Sequence, residues 1–196
     1  FEMTGKGLAE VKNPSALFLS DRGPPAAGSV VFAGVEGTRP MLTEIQALVA
    51  PSPHSQSKRS VVGLDAGRLG MILAVLESRC GVPFAGLDVY LNVAGGMKIN
   101  DPAADLAVAA ALVSAREDAP LPPEAVVFGE LSLSGALRPV VQTENRLKEA
   151  QKLGFTSAIT PLQTKKVTVA GLTLRQSQDL ATFVADIFGE RGPESN

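Results

Sequence analysis

The run DPAADLAVAAALVSA, residues 101–115, constrains this chain more than any other feature. Asp101 stands where a side chain caps a helix, with Pro102 at the first helical position; its carboxylate meets amides that have no partner inside the helix. Asp105 follows one turn later. Successive alanines strip bulk from nearly every face. The predicted helix can therefore lie close against a sheet and bury both sides, with Leu106, Val108, Leu112 and Val113 filling the gaps. Such a helix needs an apolar shell. Of the 196 residues 45% are hydrophobic but only 5% aromatic, with one Tyr and no Trp, so an aliphatic, alanine-rich core in one or two small domains is expected. The amide-rich helix start also offers an anion site, against which Asp101 and Asp105 compete.

Several classes of chemistry are disfavoured at once. The 18 basic and 20 acidic residues leave a net charge of -2, which argues neither for nor against nucleic acid, although a local basic patch remains possible. Cys80 is the lone cysteine, which forbids an internal disulfide and fits a reducing compartment, and with His54 it cannot assemble a zinc site. No stretch is long and apolar enough to span a bilayer, so no membrane partner is expected, and residues 1–7, FEMTGKG, read as neither a signal nor a transit peptide. Lacking an initiator Met, they are expected to begin a fragment of a longer protein. Gly95–Gly96 before the helix is only a faint phosphate-loop signal: the chain has no GxxxxGK[ST] and no GxGxxG, and no Ser or Thr follows Lys98 to hold magnesium.

Along the chain, residues 1–13 suggest a short strand and turn. Asn13 and Pro14 start a brief helix ending before Gly23. Strands are predicted near Ser29–Ala33 and Arg39–Ala50 with the turn at Gly34–Gly37, although the centre of the second is also compatible with helix. A polar loop carries Lys58 and Arg59. Asp65 caps a helix whose face is Leu69, Ile72, Leu73, Leu76 and Cys80. LDVYLNVAG reads as a central strand, Val126–Gly129 as a short buried one, and Ser132–Gly135 as a turn into another. Thr143 is placed to cap a helix ending at Gly154. TSAITP and KKVTVAG read as strands, and Ser177 as the cap of a terminal helix. Helices alternate with strands that partly come in pairs, so a mixed α/β layer structure is expected. Its boundaries are a leading segment at 1–13, one domain over 14–190 and a flexible tail at 191–196.

Blocks matched in order carry a specific resemblance: EVKNPSALFLSDR, EGTRPMLTEIQALVAPS, VAGGMKINDPAADLAVAAALVS and VVFGELSLSGALRPV. They closely resemble the C-terminal domain of the bacterial RadA/Sms family of DNA-repair ATPases, over essentially the whole chain. The resemblance implies a fold of the ribosomal-protein-S5-domain-2-like class, similar to the proteolytic domain of Lon protease. It also implies a missing ATPase domain and zinc segment, so ATP, magnesium and zinc belong there and no cofactor is expected in this chain. The family's KNRFG element is absent, and the chain is expected to start just beyond it. The implied function is DNA repair and recombination in the bacterial cytoplasm, by branch migration on single-stranded or branched DNA as a homo-hexameric ring, with this domain as assembly platform and DNA-facing surface.

Lon proteases attack with a serine at a helix start that this chain matches as Asp101-Pro102-Ala103-Ala104-Asp105. Ala103 falls at the serine position, and a methyl group has no lone pair to donate. The protease lysine matches near Glu144, or Thr143 or Asn145 if the match slips by one. Lys148 lies about a turn too far, and Arg146 stays protonated and makes a poor base. The chain is therefore expected not to be an enzyme. Ser114 reads as a tolerated small residue, Ser132 and Ser134 as turn residues, and His54 as a solvated loop residue. Arg146, Lys148 and Lys152, interspersed with Glu144 and Glu149, read as a solubilising helix face. Lys58, Arg59 and Lys98 are the candidate DNA contacts, with Arg138 and Lys165–Lys166 as further basic positions. Arg39, Met41, Leu42 and Glu44 form a candidate subunit interface, set against a plain core role for the same stretch. Two other functions stay open: a peptide- or protein-binding module that keeps a protease-like groove, and an active Lon-like serine peptidase.

Overall fold

The computed structural model describes residues 2–4, 7–9 and 23–189. Glu2–Thr4 (β1) and Gly7–Ala9 (β2) pair antiparallel as a separate ribbon. The apolar, β-branched stretches that follow become Ser29–Glu36 (β3) and Arg39–Pro51 (β4). They form one antiparallel hairpin in which Glu36 faces Arg39, and Gly37, at φ +62°, makes the tight turn.

Around this hairpin stand Arg59–Val62 (β5), Leu87–Val93 (β6), Ala125–Val127 (β7), Ser157–Pro161 (β10) and Thr173–Ser177 (β11). The seven-stranded sheet runs β11-β10-β7-β3-β4-β6-β5. Only β3–β4 and β4–β6 pair antiparallel; the other neighbours are parallel. Glu130–Leu131 (β8) and Leu137–Arg138 (β9) close a small separate hairpin. The architecture is mixed α/β, as its alternating pattern requires.

Among the described residues four α-helices complete it: Ala66–Cys80 (α1), Asp105–Arg116 (α2), Thr143–Lys152 (α3) and Leu180–Phe188 (α4). Asp65 caps α1 by accepting the Arg68 N–H, and Gly81 ends it in the left-handed conformation. A single 3-10 turn, Pro102–Ala104, precedes α2, and Asp101 accepts the Ala103 N–H there at 3.0 Å.

Every residue of α2 from Asp105 to Ser114 is buried. It packs against β3, β4 and β7 as well as against α1 and α4. Each buried Leu or Val contributes about 1.5–3 kcal/mol. The alanines contribute closeness instead, and enlarging one would force neighbours apart at about 1–3 kcal/mol. At its far end Ser114 accepts the Gly28 N–H at 2.9 Å and donates to the Ala119 carbonyl at 2.6 Å. Ser114 is thus a structural tie between segments far apart in sequence, more than the tolerated small residue expected.

Other expectations need correction. β6 lies between β4 and the edge strand β5, so it is not central. KKVTVAG forms no strand; the edge of the sheet is β11, which continues the parallel register of β10 from Ser157↔Thr173 to Pro161↔Ser177. Asp179, not Ser177, caps α4 by accepting the Thr182 N–H at 2.8 Å. α3 begins at Thr143 itself, with Gln142 before it at φ +58°; the Thr143 hydroxyl donates backward to the Val140 carbonyl. The brief helix expected after Asn13 and the tail at 191–196 lie outside the described residues. Among the described residues no helix is long and apolar enough to cross a membrane.

Candidate functional site

The mouth of α2 is closed by backbone. Gly129 donates its N–H to the Ala103 carbonyl at 2.8 Å, and Leu106 donates to the Gly129 carbonyl at 3.0 Å. The chain leaving β7 is thereby stitched across the helix start. The approach is so tight that a Cβ on Gly129 would fall 2.6 Å from Cγ of Pro161. Ala103 is 0% exposed, so the position matched to a protease serine has no open face.

Two ion pairs flank it. Asp105, buried in the first turn, takes a bidentate clasp from Arg68: Nε reaches Oδ1 at 2.5 Å and Nη2 reaches Oδ2 at 2.6 Å. Asp105 Oδ2 also accepts the Leu131 N–H at 3.0 Å, which ties β8 to α2. The hydrogen bond to Asp105 holds the Arg68 guanidinium above its ordinary pKa, against burial, which opposes it. Asp101, on the other flank, accepts from Ala103 and Val35 N–H groups and from Arg146 Nη1 at 2.7 Å.

Arg146 is the largest departure from the sequence reading. It is 1% exposed, not part of a solvated face. Its Nε donates to the Val141 carbonyl at 3.0 Å and its Nη1 to the Ala33 carbonyl at 2.9 Å, while the guanidinium lies 5.7 Å from the centre of the Phe128 ring. Glu144 points away and pairs with Lys148 at 2.5 Å on the exposed side of α3. Near the position matched to the protease lysine, the inward side chain is thus a guanidinium already bound to a carboxylate. Ser132 and Ser134 share a 2.7 Å hydrogen bond in the β8–β9 turn, and His54 is exposed in its loop. Burial raises the pKa of Cys80, so its thiol stays protonated near neutrality.

Beside the closed mouth a cavity of about 410 Å³ opens between the β3–β4 turn, the 97–101 loop and the start of α3. Phe32, Val35, Met41, Met97, Ile99 and Val141 give it an apolar wall. Lys98, Glu36, Asp101, Arg146 and Thr43 bring polar groups to it. Thr43 is 2% exposed, and its Oγ1 has no hydrogen-bond partner.

The three proposed DNA contacts do not form one patch. Lys58 and Arg59 stand at the start of β5, where Arg59 pairs with Val89; Lys98 lies past the other end, where Ile99 donates to the Gly63 carbonyl. The Arg59 guanidinium is spent on backbone, donating to the carbonyls of Phe84, Leu87 and Lys58. Lys58 Nζ lies 5.5 Å from the Tyr90 ring centre, and its own N–H donates to Asp88 at 2.7 Å. That bond above all, followed by the Ser52 hydroxyl, lowers the pKa of Asp88. Of the four residues marked as an interface, Leu42 and Glu44 are buried and cannot present a subunit surface; Arg39 is exposed and Met41 half-buried. Leu42 lies in the core within the buried run Leu42–Ile45 of β4, the other role open to that stretch.

Sequence reasoning missed Arg68, Arg146 and Thr43. Arg146 was detectable: Thr143, Arg146, Leu147 and Ala150 recur at three- and four-residue spacing and are the buried face of α3. Arg68 and Thr43 left no comparable signal, because their partners or surroundings come from distant segments.

The fold and this site define a mixed α/β domain in which Ser114 is bound to backbone, Ser132 and Ser134 to each other and Lys148 to Glu144, and in which, among the described residues, no three His, Cys, Asp or Glu side chains gather to hold a metal. By sequence the chain belongs to the family of the DNA repair protein RadA. It is 63% identical over 161 residues to the DNA repair protein RadA of Brucella abortus, covering 82% of this chain and 34% of the relative. The corresponding protein of Synechocystis is 48% identical over 174 residues (89% and 34%), and that of Pseudomonas aeruginosa 52% over 162 residues (83% and 36%). The chain thus spans about a third of the length of the relatives it matches. Residues 71–164 also match the family model for subunit ChlI of Mg-chelatase.

Proposed function

We propose that this chain is a non-proteolytic scaffold domain of a bacterial, cytoplasmic DNA-repair protein, supporting a hexameric ring and touching single-stranded or branched DNA. The observation that carries the non-proteolytic part is the closed mouth of α2. Ala103 is fully buried there, and Arg146 occupies the inward direction on α3 in ion pairing with Asp101. A nucleophile needs both an exposed lone pair and a base to take its proton, and neither is present at this corner.

The ChlI match concerns a subunit of an enzyme, and the RadA relatives are far longer than this chain. Nucleotide chemistry of the whole protein is assigned to the remainder. The matched stretch contains neither phosphate-loop pattern, so this chain is proposed to bind ATP only through domains outside it. DNA contact is assigned to Lys58 and Lys98, whose ammonium groups make no ion pair among the described residues and stand apart, so each meets a separate phosphate. Arg59 is the weaker member of the proposed set, since its donors are engaged.

The test is a DNA titration at two salt concentrations beside mass measurement of the chain. Weak, salt-dependent binding is expected, with the slope reduced by about 1 in Lys98→Glu. Unchanged affinity and slope would remove Lys98 from the interface. A strict monomer at high concentration would count against an intrinsic platform. Casein digestion that disappears on changing Ser114 or Ser132 would overturn the non-proteolytic reading.

A further inference from the structure

The cavity beside the helix mouth contains donors that the fold leaves unused. Thr43 lines it, its hydroxyl is buried, and that oxygen has no partner. A buried hydroxyl without a hydrogen bond is a standing penalty that native interiors rarely keep. Arg146 lines the same cavity. Nε and Nη1 are occupied, but Nη2 donates to no residue described. Lys98 lines it as well, and its ammonium has no carboxylate within ion-pair distance among the described residues. Gln142, held at φ +58° on the cavity wall, places the start of α3 against these groups.

These three residues line one space, and together their donors suit an acceptor-rich ligand head. Two cations and two carboxylates, Glu36 and Asp101, line the space, so a doubly charged phosphate meets as much repulsion as attraction. Asp101 is itself saturated by Arg146 and two amides and offers a ligand nothing. A polyanion would carry its neighbouring charges against Glu36. The apolar wall of Phe32, Met41, Met97 and Val141 requires a body that prefers to leave water. We infer that this cavity binds an aliphatic carboxylate: the head accepts from Thr43 Oγ1, Arg146 Nη2 and Lys98 Nζ, and the alkyl body lies against the methionine wall. The free C-terminus of a peptide ending in an aliphatic residue and a free short-chain carboxylate share that chemistry. The inference shares Lys98 with the DNA role proposed above but rests on neither that role nor the ring, and Thr43→Val tests it apart from both.

The experiment titrates the chain with hexanoate, with a hexapeptide ending in free leucine, and with the same peptide amidated at its C-terminus. Calorimetry and amide chemical shifts are the readouts. Saturable binding is expected, with shifts centred on Thr43 and the 97–101 loop, and about tenfold weaker binding of the amide. Binding of hexanoate as tightly as the peptide identifies a free carboxylate as the source; binding of the peptide acid alone identifies a chain terminus. Thr43→Val keeps the shape and removes only the hydroxyl. It is expected to weaken binding about five- to tenfold while raising the thermal midpoint of the unliganded chain. Lys98→Glu, a surface change, is expected to weaken it further. Absence of binding by all three probes at millimolar concentration overturns the proposal, as does equal affinity for acid and amide, or unaltered affinity in both variants.

Discussion

The mouth of α2 and the cavity next to it share Asp101 and Arg146 yet are built on opposite terms. At the mouth the polar side chains are engaged: Asp105 holds Arg68 and the Leu131 amide, and Asp101 holds Arg146 and two further amides. At the cavity a buried hydroxyl has no partner and a guanidinium nitrogen donates to nothing described. Saturated polar groups lock a structure, whereas unsatisfied ones leave room for something else to complete it. The corner matched to a catalytic centre is closed over Ala103, whereas the cavity beside it is open.

The contrast breaks most easily at the residue both regions share. Arg146→Met leaves the Asp101 carboxylate without its cation and is expected to destabilise the fold by about 3 kcal/mol, read from urea unfolding. A loss under 1 kcal/mol would mean that Arg146 is not the bolt described. A hydroxyl placed at Ala103 tests the mouth directly. Ala103→Ser places a hydroxyl where no water reaches it, at a cost of about 1–3 kcal/mol, and casein is expected to remain intact; hydrolysis by this variant would show that the corner opens. Thr43→Val carries the opposite sign. Removing an unpaired buried hydroxyl is expected to stabilise the unliganded chain by about 1 kcal/mol, and a loss of stability would show that the hydroxyl already has a partner.

The smallest effect lies away from both regions, at Asp88. Its folded pKa is lowered, so its contribution is present above the unfolded value of about 3.9 and is lost as pH falls through the folded one. Thermal midpoints compared between pH 3 and 6 should therefore fall more steeply in the parent chain than in Asp88→Asn.

Much of the frame was legible beforehand because it is written locally. The capped, alanine-rich helix, the β3–β4 hairpin and the Asp65 cap follow from neighbours in sequence, although β3 runs on through Glu36 where a turn at Gly34–Gly37 is expected, and the α-helix starts at Asp105 after a 3-10 turn at Pro102–Ala104. The strand expected at 165–171 is absent and the edge is β11 at Thr173–Ser177, whose register is set by parallel pairing with β10, while the α4 cap is Asp179 and not Ser177. The site was less legible. The methyl group at Ala103 could be read directly, but its burial, the Arg146–Asp101 pair and the isolation of Thr43 depend on contacts between segments 37 to 113 residues apart. Charge clustering suggested Lys58 and Arg59 as equals, and only the carbonyls of Phe84 and Leu87 separate them.

The alanine cylinder of α2 has a further consequence. Its position between sheet and helices is fixed by methyl groups, none of which takes part in any reaction. A domain held in this manner can exchange the reagents at its entrance without altering its outline, because shape and reactivity are stored in different atoms. The layers stacked around such a frame would register even one added carbon.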